Sequence, residues 1–294
     1  MSTRFANITV LGTGVLGSQI IFQTAYSGFN VVAYDVSEEA IQALPARWQQ
    51  LGGYYRHDLN STDEQLQAAV DRIRATTDLA DAVKDADLVI ESVPENINIK
   101  RDTYAKLSEL APEQTVFASN SSTMLLSDMV SAVNRPDKFA ALHFANNIWR
   151  QNIAEIMGHE GTDPEVYEEL VRFAEAIGMV PVRVLKEQPG YVLNSLLVPL
   201  LGAAAGLLVK GVADHKTIDL TWRKATGAPL GPFMIYDIIG MMTPYNLALS
   251  RAETDPGQAA WAKYLKENYI DQGKLGRAVG EGFYKYDAEG NIVE

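Results

Sequence analysis

Short apolar runs alternate with longer amphipathic stretches through the first two-thirds of the chain, and the alternation stops near residue 186. Strands are expected at residues 8–11, 30–34, 73–76, 88–93, 115–119, 139–144, 154–157 and 180–185. Runs that are apolar at nearly every position suit strands covered on both faces, as in a parallel sheet. Helices are expected between them, at 79–85, from Pro94-Glu95-Asn96 through Leu107, and at 164–177. One interval breaks the rhythm. About forty residues separate Asp35 from the next strand-like run, more than a single crossover helix requires. Helical patterns at 40–55, with Pro45 interrupting, and at 63–73 define a helical insertion at about 38–74, placed where it can reach over a substrate. After Lys186 to Gly190 (KEQPG) only helices and turns are expected, at 191–209, 214–226, 232–239, 244–249 and 257–268, with a tail at 273–286.

The first strand runs straight into Gly12, Gly14 and Gly17, within VLGTGVLGSQI, and the pattern then turns helical. Gly12 permits the turn, Gly14 lets a pyrophosphate approach the backbone, and Gly17 lets the helix pack closely on the strand. Val15 and Leu16 open that helix, whose free N–H groups and positive dipole attract phosphate. The second strand ends in Asp35, 18 residues after Gly17. A carboxylate there accepts hydrogen bonds from the adenosine ribose and repels a 2′-phosphate, which indicates NAD(H) rather than NADP(H). The fold expected is an α/β Rossmann-type dinucleotide-binding domain at 1–187, followed by an all-α C-terminal domain at 188–294.

The stretch 191–209 is 19 residues without a charge. Asn194, Ser195, Pro199 and two glycines make it a buried helix rather than a membrane span, in a domain core or a dimer interface. A chain of 294 residues, 47% hydrophobic and 21% charged, has room for two cores. Its net charge of −12 argues against nucleic acid and against anionic membranes as partners. The absence of cysteine removes disulfides, thiol nucleophiles and cysteine–zinc sites. The start, MSTRFANITV, enters the first strand at once, so a cytoplasmic enzyme is expected.

His143 ends a core strand in ALHFANN, and Glu155 lies twelve residues on in a second apolar run, IAEIM. Two neighbouring strands joined by a short loop would set them face to face. A carboxylate on one ring nitrogen fixes the histidine tautomer, which suits acid/base work; a structural hydrogen bond in the core is the alternative. Ser119, Asn120, Ser121 and Ser122 close another strand, where a hydroxyl can bind a substrate carbonyl and at least one caps a helix. Asn194, early in the apolar helix, must satisfy its amide on backbone or on substrate. Glu95 and Lys100 are either surface charges or neighbours of the cofactor. His57, His159 and His215 have no partners at ligand spacing, so no metal is assigned.

In order and spacing, GTGVLG with Asp35, PEN at 94–96 with Lys100, SNSS at 119–122, LHF at 142–144 with Glu155, PGYVLNSLLVP at 189–199, GPF at 231–233 and GEGFYKY at 280–286 resemble the L-3-hydroxyacyl-CoA dehydrogenase family. The likeness covers nearly the whole chain, and HFAN with the following Trp149 resembles its diketoreductase branch. It implies an NAD-dependent oxidoreductase (EC 1.1.1.-) of the 3-hydroxyacyl-CoA or 3-hydroxybutyryl-CoA dehydrogenase type, as in fatty acid metabolism, acting on a small-molecule 3-hydroxyacyl or 3-ketoacyl substrate. By the same resemblance His143 carries the proton, Glu155 orients it, and Ser122 and Asn194 bind the substrate oxygen or the nicotinamide. Glu95, Lys100 and Asn146 line the cofactor side, and the helical domain makes a homodimer.

Departures from the family pattern open a second reading, and the resemblance itself, which extends to relatives recruited as lens crystallins, a third. HFANN places Ala145 and Asn147 where the family has an aromatic and a proline; Ser195 replaces an arginine and Ala278 a lysine. The insertion, where CoA would be gripped, holds Arg47, Arg56, Arg72 and Arg74 against Glu38, Glu39, Asp58, Asp63, Glu64 and Asp71. Phosphates normally draw on local positive charge. The second reading is therefore an NADH-dependent reductase of CoA-free β-keto or β,δ-diketo esters, with a pocket reshaped by Ala145 and Trp149. The third is a non-catalytic NAD-binding crystallin-like protein, disfavoured because no packing role requires Ser122, His143, Glu155 and Asn194 together.

Overall fold

The computed structural model describes residues 3–293. The chain divides into two compact units, 1–192 and 193–294. The expected boundary lies five residues earlier, because Tyr191 and Val192 still pack onto the strands of the first unit.

The first unit is a sheet of eight strands in the order β3-β2-β1-β4-β5-β6-β7-β8. They are β1 (Asn7–Leu11), β2 (Asn30–Tyr34), β3 (Ile73–Thr76), β4 (Leu88–Glu91), β5 (Val116–Ser119), β6 (Phe139–Phe144), β7 (Ile153–Met157) and β8 (Val180–Val184). All neighbours pair in parallel except β6 and β7. Alternate residues feed two cores, one on each face: Ile8, Val10, Ile90 and Leu142 enter one, and Leu11, Val89, Phe117 and Phe139 the other. Helix α1 (Val15–Tyr26) follows β1, and the order of strands reverses between β1 and β4, where open α/β sheets bind ligands.

The insertion comprises α2 (Glu38–Gln42), α3 (Leu44–Leu59) and α4 (Asp63–Asp71). The expected interruption near Pro45 falls at Ala43, between α2 and α3; Pro45 stands in the first turn of α3, where its missing N–H costs nothing. Ser37 caps α2, as its hydroxyl accepts from Ala40 N, and Thr62 with Gln65 forms a capping box on α4. The remaining helices of this unit are α5 (Leu79–Val83), α6 (Ile97–Leu110, capped by Asn96) and α7 (Pro164–Ala176). Three single-turn 3₁₀ helices lie between residues 126 and 138, a stretch with no regular periodicity.

The second unit is helical: α8 (Leu193–Val209), α9 (His215–Thr226), α10 (Pro232–Ile239), α11 (Met242–Leu249) and α12 (Pro256–Asn268). Helix α8 is only partly buried within the single chain, which leaves a dimer interface as the expected place for the rest of its apolar surface. Leu201, Ala204 and Ala205 are buried in it, whereas Leu196 is 70% exposed and Val198 and Leu207 also reach solvent in the single chain. Among the described residues no helix is long and apolar enough to cross a membrane.

Two buried carboxylates organise this unit, and they account for the GPF and GEGFYKY motifs. Asp219 of α9 accepts from the Phe233 and Met234 amides and from the Tyr284 hydroxyl. Asp237 of α10 accepts from the Phe283 and Tyr284 amides and from the Tyr286 hydroxyl. A Cβ at Gly231 would lie 2.2 Å from the Asp219 carboxyl carbon, and one at Gly282 would lie 2.0 Å from an Asp237 oxygen. Those glycines are needed for close approach. Burial raises both carboxyls above their usual range, and the donors bring them only part of the way back.

Asp237→Ala strands one buried and two part-buried donors, so it is expected to lower unfolding stability by about 2 kcal/mol or more. Asp255→Ala, which removes an exposed cap of α12, is expected to cost about 1 kcal/mol. Urea midpoints of the two variants check the contrast.

Candidate active site

The glycine loop has the geometry its sequence implies. Gly12 has φ +91, and a Cβ there would meet Ser92 O at 2.4 Å; one at Gly17 would meet Gly12 O at 2.0 Å. Gly14 has open space on its Cβ side, and no side chain caps the helix that begins at Val15. Val15 is exposed and Leu16 half-buried. The free amides at the start of a twelve-residue helix therefore face a clear approach for a pyrophosphate. Asp35 sits at the end of β2. One of its oxygens accepts from Thr13 N and Thr13 Oγ1, both at 2.8 Å, and the other from Ser37 N at 3.2 Å. These residues fit a dinucleotide, with Asp35 beside the loop where an adenosine ribose would lie.

At the other end of the sheet's binding edge, the reversal between β6 and β7 sets His143 directly opposite Glu155. Both are buried. His143 Nδ1 lies 2.9 Å from Glu155 Oε2, and Nε2 lies 3.1 Å from Ser122 Oγ, which follows β5. A carboxylate only accepts, so Nδ1 carries hydrogen and the Nε2 lone pair faces the Ser122 hydroxyl. Glu155 Oε1 accepts from Val192 N at 2.9 Å. Against the face of His143 lies Tyr191, its ring 4.5 Å away and tilted by 9°. Burial, reinforced by the Glu155 charge, pushes its phenol well above the usual tyrosine range. Tyr191 carried no role in the sequence reading; its place within PGYVLNS was the available signal.

A second network underlies the Ser122 loop. Glu91, wholly buried at the end of β4, accepts from Lys100 Nζ at 2.6 Å, Val93 N at 2.9 Å, Ser119 Oγ at 2.9 Å and Tyr104 OH at 3.1 Å. Lys100 is 1% exposed, so it is no surface charge; its amine also lies 3.3 Å from Glu95. Glu95 in turn accepts from Ser121 Oγ, Thr123 N and Thr123 Oγ1. Burial works against the Glu95 charge, but the Ser121 hydroxyl, Lys100 and Thr123 together hold its carboxyl below the usual range. Ser121 also caps the following turn through Met124 N, and Asn120 accepts from Phe144 N. Glu91 was not anticipated, since a lone acid ending an apolar run gives no sign of its partners.

Asn146 is exposed in the loop after β6, while Asn147 adopts φ +61 and donates its amide to Gln19 of α1. Trp149 packs against the insertion. Its indole N–H donates to Asp58 at 2.7 Å and its ring stacks on Tyr54 at 5.3 Å, so it binds this loop to α3 and is 8% exposed. A buried indole N–H needs an acceptor, and α3 supplies it. Asn194, by contrast, stands half-buried as the second residue of α8, in the second unit. Among the described residues, no three metal-ligating side chains are grouped to hold an ion.

The four arginines of the insertion are all engaged within the chain. Arg47 donates to Thr13 O at 2.6 Å and Arg72 to Ala68 O at 2.8 Å, Arg56 pairs with Asp63, and Arg74 pairs with Asp81.

Residues 7–188 match the 3-hydroxyacyl-CoA dehydrogenase NAD-binding domain, and residues 190–286 match the C-terminal domain of the same enzymes. The chain is 32% identical over 286 residues to the mitochondrial hydroxyacyl-coenzyme A dehydrogenase of Rattus norvegicus, covering 95% of this chain and 91% of that one. To a probable 3-hydroxybutyryl-CoA dehydrogenase of Bacillus subtilis it is 30% identical, covering 95% and 97%. A solved structure of a diketoreductase, described as carrying out substrate-directed dual catalysis of dicarbonyl compounds, superimposes with a TM-score of 0.92 at 58% identity, covering 97% of this chain and all of that one. A dinucleotide loop, an acid ending the second strand and matches across both domains lead to one conclusion: the chain belongs to the 3-hydroxyacyl-CoA dehydrogenase family of NAD-dependent oxidoreductases.

Proposed function

We propose that this protein interconverts a hydroxyl and a ketone β to a second carbonyl, with His143 as the proton carrier, and that its substrate is a CoA-free β-keto or β,δ-diketo ester or acid. The observation that carries the reaction is the placement of His143 between Glu155 and Ser122 at a binding edge of the sheet. NAD(H) supplies or accepts the hydride when bound. On reduction, His143 gives its Nε2 proton to the carbonyl oxygen; on oxidation, neutral Nε2 takes the proton from the hydroxyl. Glu155 holds Nδ1–H throughout and stabilises the imidazolium. Ser122 donates to the substrate oxygen, and Asn194 is assigned a bond to that oxygen or to the nicotinamide on its motif alone. Lys100 serves the cofactor side through Glu95, which it fixes together with Ser121 and Thr123.

The absence of CoA is supported by the charge of the insertion. Its four arginines are outnumbered by its six acids, and each is engaged within the chain: Arg47 and Arg72 on backbone carbonyls, Arg56 on Asp63 of the insertion itself and Arg74 on Asp81. The likeness to a diketoreductase favours the same reading. A 3-hydroxyacyl-CoA thioester is the second reading, favoured by the names of the relatives at 30–32% identity. The apolar residues that α8 leaves exposed support a homodimer through the helical unit, which sedimentation of the purified protein tests.

Initial rates of NADH oxidation with a free β-keto ester and with acetoacetyl-CoA test the substrate. The free ester is expected to match or exceed the thioester; a thioester far better than the ester returns the protein to fatty-acyl chemistry. His143→Ala is expected to lose on the order of 10²- to 10⁴-fold in kcat with the fold intact, and an undiminished rate removes the proposed proton carrier. Asp35→Ser is expected to raise the rate with NADPH relative to NADH, because the carboxylate that repels a 2′-phosphate is gone.

A further inference from the structure

We propose that Tyr191 is a positioning residue for the reaction, its ring holding the plane of the His143 imidazole while the proton moves. This rests on His143 being the proton carrier.

The two hydrogen bonds of His143 lie in the plane of its ring, at Nδ1 to Glu155 and at Nε2 to Ser122. The Ser122 bond is the weaker constraint, since a hydroxyl rotates freely and its place at Nε2 is where the substrate oxygen must come. During turnover the Nδ1 bond to Glu155 is then the one hydrogen bond that holds the ring to the protein. A single in-plane bond does not prevent the ring from tilting about it. The Tyr191 ring, 4.5 Å away and within 9° of parallel, closes one face against that motion. Stacking also holds in both protonation states, because an imidazolium is attracted to an aromatic face as a neutral ring is.

The backbone supports a built device. Gly190 and Tyr191 both lie in the left-handed region, at φ +80 and +51. That conformation is ordinary for glycine and disfavoured for an aromatic residue, so the surroundings must impose it. Tyr191 N donates to Gln188 O, which closes the turn, and the next amide, Val192 N, donates to Glu155 Oε1. Two consecutive residues thus grip both members of the pair, one by ring face and one by amide. Tyr191 is 1% exposed, so the contact is sealed from water.

The test joins proton NMR with kinetics. A carbon-bound imidazole proton of His143, identified among four histidines by its loss in His143→Ala, is expected upfield because the Tyr191 ring current shields it. Tyr191→Phe keeps the upfield position and a kcat close to that of the parent. Tyr191→Asn tolerates the left-handed backbone but lacks the ring; it is expected to release the shift and lower kcat on the order of tenfold or more, with KM for NADH unchanged. Tyr191→Leu is the substitute if Asn does not fold. A parent signal at the ordinary position, or full kcat in a folded ring-less variant, overturns the proposal. Full turnover by His143→Ala instead removes the proton-carrier reading and leaves the ring-current result standing.

Discussion

The His143 to Glu155 hydrogen bond depends on the one reversal of strand direction in the sheet. In an antiparallel pair directly opposed residues point to the same face, so the register that matches Phe144 with Ala154 also matches His143 with Glu155. A slip of one residue would send the carboxylate to the other face, into the core of Ile156 and Leu142. Burying an acid there unpaired would be costly, so packing and chemistry select the same register. The loop that makes the reversal is held by Gln19 through Asn147 and by Asp58 through Trp149, which ties the histidine's position to α1 and to the insertion.

The same economy runs through both units: buried acids collect backbone and hydroxyl donors from segments distant in sequence. Glu91 joins β4, α6 and β5, and thereby anchors Glu95 and the Ser122 loop. Asp219 and Asp237 do the same for α10 and the C-terminal segment. Their roles differ in consequence. The Glu91 network reaches the proposed chemistry, while the other two explain why GPF and GEGFYKY are structural signatures.

Much of the fold was legible because apolar runs in a sheet covered on both faces are continuous, as in β1, β4, β5, β6 and β7, whereas the edge strands β3 (IRAT) and β8 (VPVRV) are less buried and less apolar. His143 and Glu155 were legible for the same reason, each being the polar residue of an apolar strand. Tyr191 and Glu91 were not, since an aromatic in a turn and an acid at a strand end acquire meaning only from partners 48 and 9 residues away, His143 and Lys100. Trp149 stands out in the sequence only as a residue that reshapes the pocket, because local sequence does not reveal that Asp58 takes its N–H. For α8, composition calls for apolar neighbours, in a core or a dimer interface, and does not state whether its own chain provides them.

The central claim is that Glu155 fixes His143 with hydrogen on Nδ1 and a lone pair on Nε2. Nitrogen-15 NMR of imidazole-labelled protein at neutral to mildly alkaline pH reads this directly, with His143 assigned by its loss in His143→Ala. The account predicts a protonated Nδ1 and an unprotonated Nε2, reversed or averaged in Glu155→Ala. A parent protein with hydrogen on Nε2, or a tautomer indifferent to Glu155, would contradict it.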